Sequence, residues 1–186
     1  QPGAGGNIGA ASVARAAPDG YTFLFATDTL LTVNPHVYKS MPFKLDDLKP
    51  ISVLSSFSQT LVCNPSLGVK TVSELIAKSK TTSLSYASGG AGVPGHLSTE
   101  LLLSMTGMQM THIPYKGSPE GMLAMERGAV EGHSTSWEVV KAVNPAWIKD
   151  GKLRFLVQHS ITRHPELPNV PTSVELAKNE TDRAIL

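Results

Sequence analysis

The chain has 186 residues, of which 41% are hydrophobic and 17% charged, and its net charge is +1 at pH 7. The length suits one ordinary domain or two small ones, and the charge balance gives no basic footprint for nucleic acid. Cys63 is the only cysteine, which excludes an internal disulfide and a cysteine-rich zinc site, and the apolar runs are too short to span a bilayer.

The first third of the chain predicts a glycine loop, a helix and two strands. Residues 3–9 contain four glycines and open a small-residue helix over about residues 8–17. The turn Pro18-Asp19-Gly20 precedes the continuous apolar run 21–27, which predicts a buried strand with a polar end. Residues 51–54 predict a second strand.

A second glycine loop follows a strand near the middle of the chain. After a strand at residues 59–63, the capping-box spacing of Thr71 and Glu74 opens a helix to about residue 80. Residues 84–87 predict a short strand, and the glycine loop 88–96 leads into an amphipathic helix over about residues 97–105. Such a loop presents backbone N–H groups at the positive end of a helix, which is typical of an anion site.

The remaining third repeats the same units. Ser118 is predicted as an N-cap with Pro119 at the first helical position. The other predicted elements are strands at residues 109–114, 129–133 and 153–158, a helix ending at Arg127, a helix broken at Asn144-Pro145, and a last helix capped by Thr172 or Ser173.

This order of strands and helices predicts an α/β protein with a mostly parallel sheet. In open sheets of this kind, ligands bind beyond the carboxyl ends of the strands. Five loops of small, polar or glycine-rich residues occupy such ends, which suggests one crevice lined by backbone donors and hydroxyls. They are residues 3–9, 27–29, 88–96, 115–118 and 134–137.

Two nucleotide-binding motifs compete with this interpretation. The loop at residues 90–95 has the spacing of a P-loop, but His96 stands where that loop needs a lysine. Residues 3–9 fit a G-x-G-x-x-x-G dinucleotide loop, and Asp28 lies about where a ribose-binding acid belongs. No Tyr-x-x-x-Lys pair or other hydride-transfer residue accompanies that loop, so a nucleotide-dependent oxidoreductase is kept as an alternative.

The sequence shows no constellation for catalysis or metal binding. No two of the six histidines have zinc-ligand spacing on a helix. Cys63 lies in an apolar strand, and Ser88 has no G-x-S-x-G frame. We therefore expect no catalytic residues, no cofactor and no metal, and a site that binds a small carboxylate or phosphate without changing it.

Three side chains near the predicted crevice have two possible roles each. His96 either stiffens its loop through a local hydrogen bond, which we favour, or contacts the ligand. Lys116 either counters an anionic ligand or is a surface lysine. Trp137 is either a wall of the crevice or a core residue.

The same residues resemble a known family. The segments PGAGGNIGA, VARAAPDGYTFLF, LVCNPSLGVKTVSELIAKSK, LSYASGGAGVPGHLSTELL, MTHIPYKGS and LRFLVQ…RHPELPNVPTSVELA follow the order found in the solute-binding receptors of tripartite tricarboxylate transporters, also called Bug receptors. One segment alone is a weak signal. The ordered set covers nearly the whole chain and is highly specific.

The resemblance implies a periplasmic-binding-protein fold, in which two α/β lobes with helices on both faces of their sheets surround a cleft. Residues 1–62 would be part of the first lobe, residues 63–160 the second lobe, and residues 161–186 a segment that returns to the first. It also implies a periplasmic, non-enzymatic receptor that captures a small organic carboxylate and delivers it to a two-subunit membrane permease. A sensor or scaffold with the same fold is a further alternative.

The resemblance and the strand ends together give the predicted ligand-binding residues. Ser88, Gly89 and Gly92 match the second-lobe carboxylate-binding loop, and the loop at residues 2–9 with Thr27 matches first-lobe cleft positions. The full predicted set is Gly5, Gly6, Thr27, Asp28, Ser88, Gly89, Gly90, Gly92, His96, Lys116, Ser134, Ser136 and Trp137.

The chain also departs from the family pattern. The first strand with its own glycine loop and the closing C-terminal elements of the family are missing, so we expect a fragment cut at both ends, with a signal peptide upstream. Residues 124–137 and the turn at residues 149–152 follow a divergent branch. The identity of the carboxylate therefore cannot be copied from the better-known branch.

Overall fold

The structure is a computed structural model that describes residues 4–185. The chain forms two compact units, the first ending at Ser55 and the second beginning at Ser56. Within the described residues, no helix combines the length and apolar composition needed to cross a membrane. The lobe boundaries at residues 62 and 160 stay a prediction.

The first unit consists of short helices around a small apolar core. Ala10, Ala11, Leu30 and Phe43 are buried together in this core. The helix predicted over residues 8–17 is present but ends at residue 14. The elements are α1 (Asn7–Ala14), α2 (Thr29–Thr32), α3 (Asn34–Val37) and the 3-10 turns Ala4–Gly6 and Leu45–Asp47.

The two strands predicted for the first unit are wrong. Residues 21–27 and 51–54 are extended, but neither segment pairs with a strand among residues 4–185. Tyr21 and Phe25 are 88% and 80% exposed. An apolar run predicts where a strand can form, whereas a strand exists only when a neighbour completes its hydrogen-bond ladder.

The described part of the second unit contains one mixed sheet. Its strands are β1 (Gln59–Cys63), β2 (Ser85–Ser88), β3 (Thr111–Pro114), β4 (Gly132–Ser136) and β5 (Arg154–His159). They lie in the order β3-β2-β4-β1-β5. β2 is parallel to β3 and β4, and β1 is antiparallel to β4 and β5. Four strands share one direction, which confirms the α/β class, and β1 is reversed.

Helices cover both faces of this sheet. Leu61 and Cys63 of β1 pack with Leu75 in one apolar core, whereas Val62 packs with Met122 in the other. This alternation is the period-two pattern of a strand buried on both faces. The helices are α4 (Val72–Ser79), α5 (Pro94–Thr106), α6 (Ser118–Glu126), α7 (Trp137–Val143), α8 (Pro145–Lys149) and α9 (Glu180–Ile185).

Three predicted boundaries in the second unit are corrected by the structure. β4 begins three residues after its predicted start. Its residues are buried but mostly polar, so the strand lacks the apolar pattern from which strands are predicted. Gly117, not Ser118, is the N-cap of α6. The predicted last helix is a short 3-10 turn, Val174–Leu176, and α9 begins at Glu180.

The absence of a side chain at Gly121 allows α6 to approach the sheet closely. A Cβ at this position would lie 2.6 Å from Cε1 of His133 and 3.1 Å from Cβ of Ala87. His133 is fully buried, so its ring cannot move out into solvent. The spacing between α6 and β4 therefore depends on this glycine.

We expect Gly121→Ala to lower the free energy of unfolding by about 1–3 kcal/mol, the usual cost of overpacking a core. Urea unfolding followed by circular dichroism measures the change. Leu123→Ala is the matched control on the same helix, because Leu123 is 42% exposed and its truncation should cost less. A Gly121→Ala protein as stable as the wild type would contradict the close packing.

Two histidines of the second unit make its stability depend on pH. Burial lowers the pKa of His133 and of His159 to about 4. In the unfolded chain a histidine has a pKa near 6.5, so the unfolded state binds protons first as the pH falls. The stabilisation is complete above about pH 6.5 and is lost progressively toward pH 4.

We expect the free energy of unfolding to fall between pH 7.5 and pH 5, by roughly 2 kcal/mol for each of these histidines. His159→Gln should reduce the fall in the free energy of unfolding by the contribution of one histidine, because glutamine does not titrate. His164→Gln is the control, since His164 is only partly buried. An unchanged slope in His159→Gln would contradict the assignment.

Candidate functional site

The carboxyl ends of three parallel strands lie at one edge of the second unit's sheet. β2 ends at Ser88, β3 at Pro114 and β4 at Ser136. A helix follows each strand, namely α5, α6 and α7. Because ligands of open α/β sheets bind beyond such ends, this edge is the candidate functional site of the unit.

Ser88 holds the glycine loop that follows β2. It is fully buried, and its Oγ donates to the Gly90 carbonyl at 2.8 Å and accepts from the Gly90 N–H at 3.2 Å. His112 Nε2 lies 2.7 Å from the same oxygen. Gly90 and Gly92 have φ angles of 139° and 78°, which L side chains rarely adopt. The serine therefore shapes the loop from inside.

A stacked pair of imidazole rings lies beside this loop. His96 Nδ1 accepts a hydrogen bond from the Gly92 N–H at 3.1 Å. The His96 ring stacks on the His112 ring, with centroids 3.9 Å apart. Burial, and then the charge of a protonated His96, lower the pKa of His112, although Glu100 opposes them. Tyr86 Oη donates to Glu100 Oε1 at 2.7 Å on the same side of the sheet.

The N-terminus of α6 lies against the glycine loop. A Cβ placed on Gly89 would be 3.3 Å from the Ser118 amide nitrogen. Ser118 Oγ fixes this end of the helix, since it lies 2.8 Å from both His133 Nε2 and Thr135 Oγ1. The first N–H groups of a helix have no partner within the helix. The contact therefore brings hydrogen-bond donors and the positive end of α6 to the loop.

The Ser118–His133 pair lacks the features of an activated nucleophile. Its imidazole is a weak base at neutral pH, because burial lowers the pKa of His133 to about 4. Activation also needs a third group that orients the base, and no carboxylate is hydrogen-bonded to His133 in the described part of the chain. Among residues 4–185, no group of three or more His, Cys, Asp or Glu side chains is arranged to hold a metal ion.

The other predicted residues of the second unit lie around this edge in different environments. Ser134 is buried within β4 and its Oγ accepts from Thr99 at 3.1 Å, whereas Ser136 caps α7 by accepting from the Val139 N–H. Trp137 is 6% exposed and packs edge-on against Phe155, which places it in the packed interior.

The predicted loop of the first unit is held by a buried amide. Asn34 Nδ2 donates to the Gly5 carbonyl at 3.0 Å and to Asn7 Oδ1 at 2.9 Å. Gly5 and the N-cap of α1, Gly6, have φ angles of 60° and 91°, so both glycines of the predicted set are needed for the shape of this loop.

Thr27 and Asp28, also predicted for the site, lie at the start of α2 in the first unit. Thr27 Oγ1 is 2.8 Å from Thr29 Oγ1. The Asp28 carbonyl accepts from the N–H groups of Leu31 and Thr32, and Asp28 itself is exposed.

Sequence reasoning missed the residues that support both loops. The predicted set of ligand-binding residues contains none of these supports, which are Asn34, His112, His133 and Thr135. Their common signal is a polar side chain inside a short strand or beside a proline. Such a residue is buried only when it has a partner, and the partner is distant in the sequence.

The chain matches a family model described as "Tripartite tricarboxylate transporter family receptor" over residues 1–185. Protein BugT of Bordetella pertussis is 35% identical over 182 residues, which cover 96% of this chain and 55% of that protein. The R. palustris protein Rpa4515, solved with adipate, is 33% identical with a TM-score of 0.79, and the match covers 91% of this chain and 56% of that one.

A third relative is MatC from Rhodopseudomonas palustris, solved with bound malate. It is 26% identical with a TM-score of 0.66, and the match covers 93% of this chain and 58% of that one. The chain thus spans about half the length of the relatives that it matches. It belongs to the TctC family, the solute-binding receptors of tripartite tricarboxylate transporters.

Proposed function

We propose that the protein captures a small organic carboxylate, a di- or tricarboxylate or a related acid, for a tripartite tricarboxylate transporter. The observation that carries this proposal is the contact between the glycine loop at residues 89–93 and the N-terminus of α6. The loop lies against the first N–H groups of α6, and backbone donors of this kind bind an anion without a fixed cation. Within the loop, the N–H groups of Gly90 and Gly92 are bonded to Ser88 and His96.

The side chains of the site support binding rather than chemistry. Ser88 and His96 are engaged in shaping the loop, and Ser118 is engaged with His133 and Thr135. The exposed Lys116 side chain, on the loop after β3, is the cation nearest in sequence to the N-terminus of α6. We assign it the role of attracting the anion, because a flexible exposed lysine adds long-range charge more than geometry.

The relatives support the choice of ligand class. Rpa4515 was solved with adipate and MatC with malate, both small dicarboxylates. The receptor family supports two further parts of the proposal, delivery to a two-subunit membrane permease and a periplasmic location.

We expect malate, adipate and citrate to shift the backbone amide resonances of residues 89–92 and of Gly117, Ser118 and Glu120 in the 15N-labelled chain. The affinity of the second-unit loop alone should be weak, roughly millimolar. Adipamide, which has the length of adipate without its charge, is the matched control ligand. If no carboxylate shifts these amides while NAD+ shifts those of residues 4–9 and Asp28, the oxidoreductase alternative is favoured. If neither ligand binds, a scaffold role is favoured.

We expect Gly89→Ala to weaken carboxylate binding at least about fivefold, because its methyl group would press on the Ser118 amide nitrogen at 3.3 Å and displace a donor. Gly89 has no positive φ, so the substitution adds no backbone strain. Ser83→Ala is the control, since Ser83 is exposed and precedes the amino end of β2, opposite to the end that carries the loop. Equal affinities for the two variants would contradict a role for the α6 N-terminus.

A further inference from the structure

The stacked rings of His96 and His112 are the protonatable groups nearest the glycine loop. His96 Nδ1 accepts the Gly92 N–H at 3.1 Å, so this nitrogen carries no proton in the described state. A neutral imidazole then has its hydrogen on Nε2. His96 Nε2 lies 4.0 Å from Glu100 Oε1, where this hydrogen faces a carboxylate.

His112 is held in the same tautomer by Ser88. The single hydroxyl hydrogen of Ser88 is donated to the Gly90 carbonyl, so His112 Nε2 must donate its own hydrogen across the 2.7 Å contact with Ser88 Oγ. An added proton on His112 would go to Nδ1 and would leave the bond to Ser88 in place.

The two rings cannot easily carry charge together, because they stack at 3.9 Å and like charges at that distance disfavour one another. The surroundings of the two rings differ in burial and in the nearest charged group. Glu100 of α5 lies beside His96, whose side chain is 22% exposed. Burial lowers the pKa of His112. A charge on the His112 ring is therefore disfavoured by burial, whereas a proton on His96 would lie beside the Glu100 carboxylate.

Other titratable groups around the pair stay in one state near neutral pH. Tyr86 of β2 donates to Glu100, and burial followed by the Glu100 bond raises the pKa of Tyr86, so it remains neutral. Lys116, on the loop after β3, forms no ion pair within the described part of the chain. His96 is thus the ring that both accepts a hydrogen bond from the loop and faces a carboxylate.

Protonation of His96 has a direct consequence for the loop. The proton must go to Nδ1, the atom that now accepts the Gly92 N–H, and that hydrogen bond is broken. We infer that proton uptake by His96 frees the Gly92 N–H for a bound carboxylate, so that His96 is a positioning residue that couples ligand capture to pH. The inference rests on the proposed function for its ligand and on the Gly92–His96 bond for its mechanism.

The coupling works in both directions, as thermodynamic linkage requires. A carboxylate at the loop offers an acceptor to the Gly92 N–H and an opposite charge to the imidazolium. Ligand binding therefore favours proton uptake by His96, and a lower pH favours ligand binding. Two supports of the loop, the Ser88–Gly90 and Ser88–His112 bonds, do not involve His96 and keep the loop in place when its bond to Gly92 is lost.

The test measures malate affinity of the whole chain by calorimetry at pH 8 and pH 6, a range in which malate keeps its charge. We expect binding to tighten about fivefold or more toward pH 6. Repeating the titration in buffers of different ionisation enthalpy should show uptake of up to one proton per malate. Affinity that is independent of pH, or release of protons on binding, would overturn the inference.

His96→Gln separates the proposed role from a structural one. Glutamine Oε1 can accept the Gly92 N–H but does not titrate, so this variant should bind malate with no pH dependence. His164→Gln removes a histidine whose ring contacts are with Trp137 and Glu166 and not with the loop, and this variant should keep the pH dependence. Circular dichroism checks that both variants are folded. A His96→Gln protein with the wild-type pH profile would refute the role of His96.

A ligand-free measurement distinguishes this inference from the proposed function. The amide resonance of Gly92 should move with the titration of the His96 ring in the 15N-labelled chain without any carboxylate. If Gly92 follows His96 but no carboxylate binds, the coupling within the loop is correct and the proposed function is wrong. If Gly92 does not follow His96, the inference fails whatever the chain binds.

Discussion

The site of the second unit depends on how closely α6 approaches the sheet. Gly121 has no Cβ to collide with the buried His133 ring, and Ser118 ties the start of the same helix to His133 and Thr135 of β4. The hydrogen bonds depend on the glycine, because Ser118 can contact His133 and Thr135 only when α6 lies close to β4. The position of α6 then decides where its N-terminal donors meet the loop after β2.

Buried polar side chains hold the helices against β4. Their hydrogen bonds make the geometry of the sheet and helices specific. A buried hydroxyl or imidazole without a partner is costly, whereas a fully paired network fixes one geometry. β4 is entirely buried although it contains His133, Ser134, Thr135 and Ser136. Its side chains bond α5, α6 and the first turn of α7. The strand therefore sets the positions of three helices through hydrogen bonds as well as through apolar packing.

The sequence was sufficient for features that depend on neighbouring residues. The helix start at Thr71, the glycine loop before α5 and the break before Pro145 are local signals, and each appears in the structure. The predictions that were wrong concern residues whose contacts are distant in the sequence. Residues 21–27 look like a strand but have no neighbour to pair with, and β4 was misplaced because its burial is stabilised by polar contacts from other elements. The roles of His112 and Asn34 required the same distant information.

Each unit holds its own glycine loop with its own side chains, Asn34 in the first and Ser88 with His112 and His96 in the second. The loops are therefore ordered during folding, and a ligand does not have to supply that ordering free energy. Donors of this kind are backbone groups, which recognise the position and charge of a carboxylate but not the rest of the molecule. For the proposed carboxylate ligand, discrimination between acids of similar length must then come from side chains outside these backbone loops.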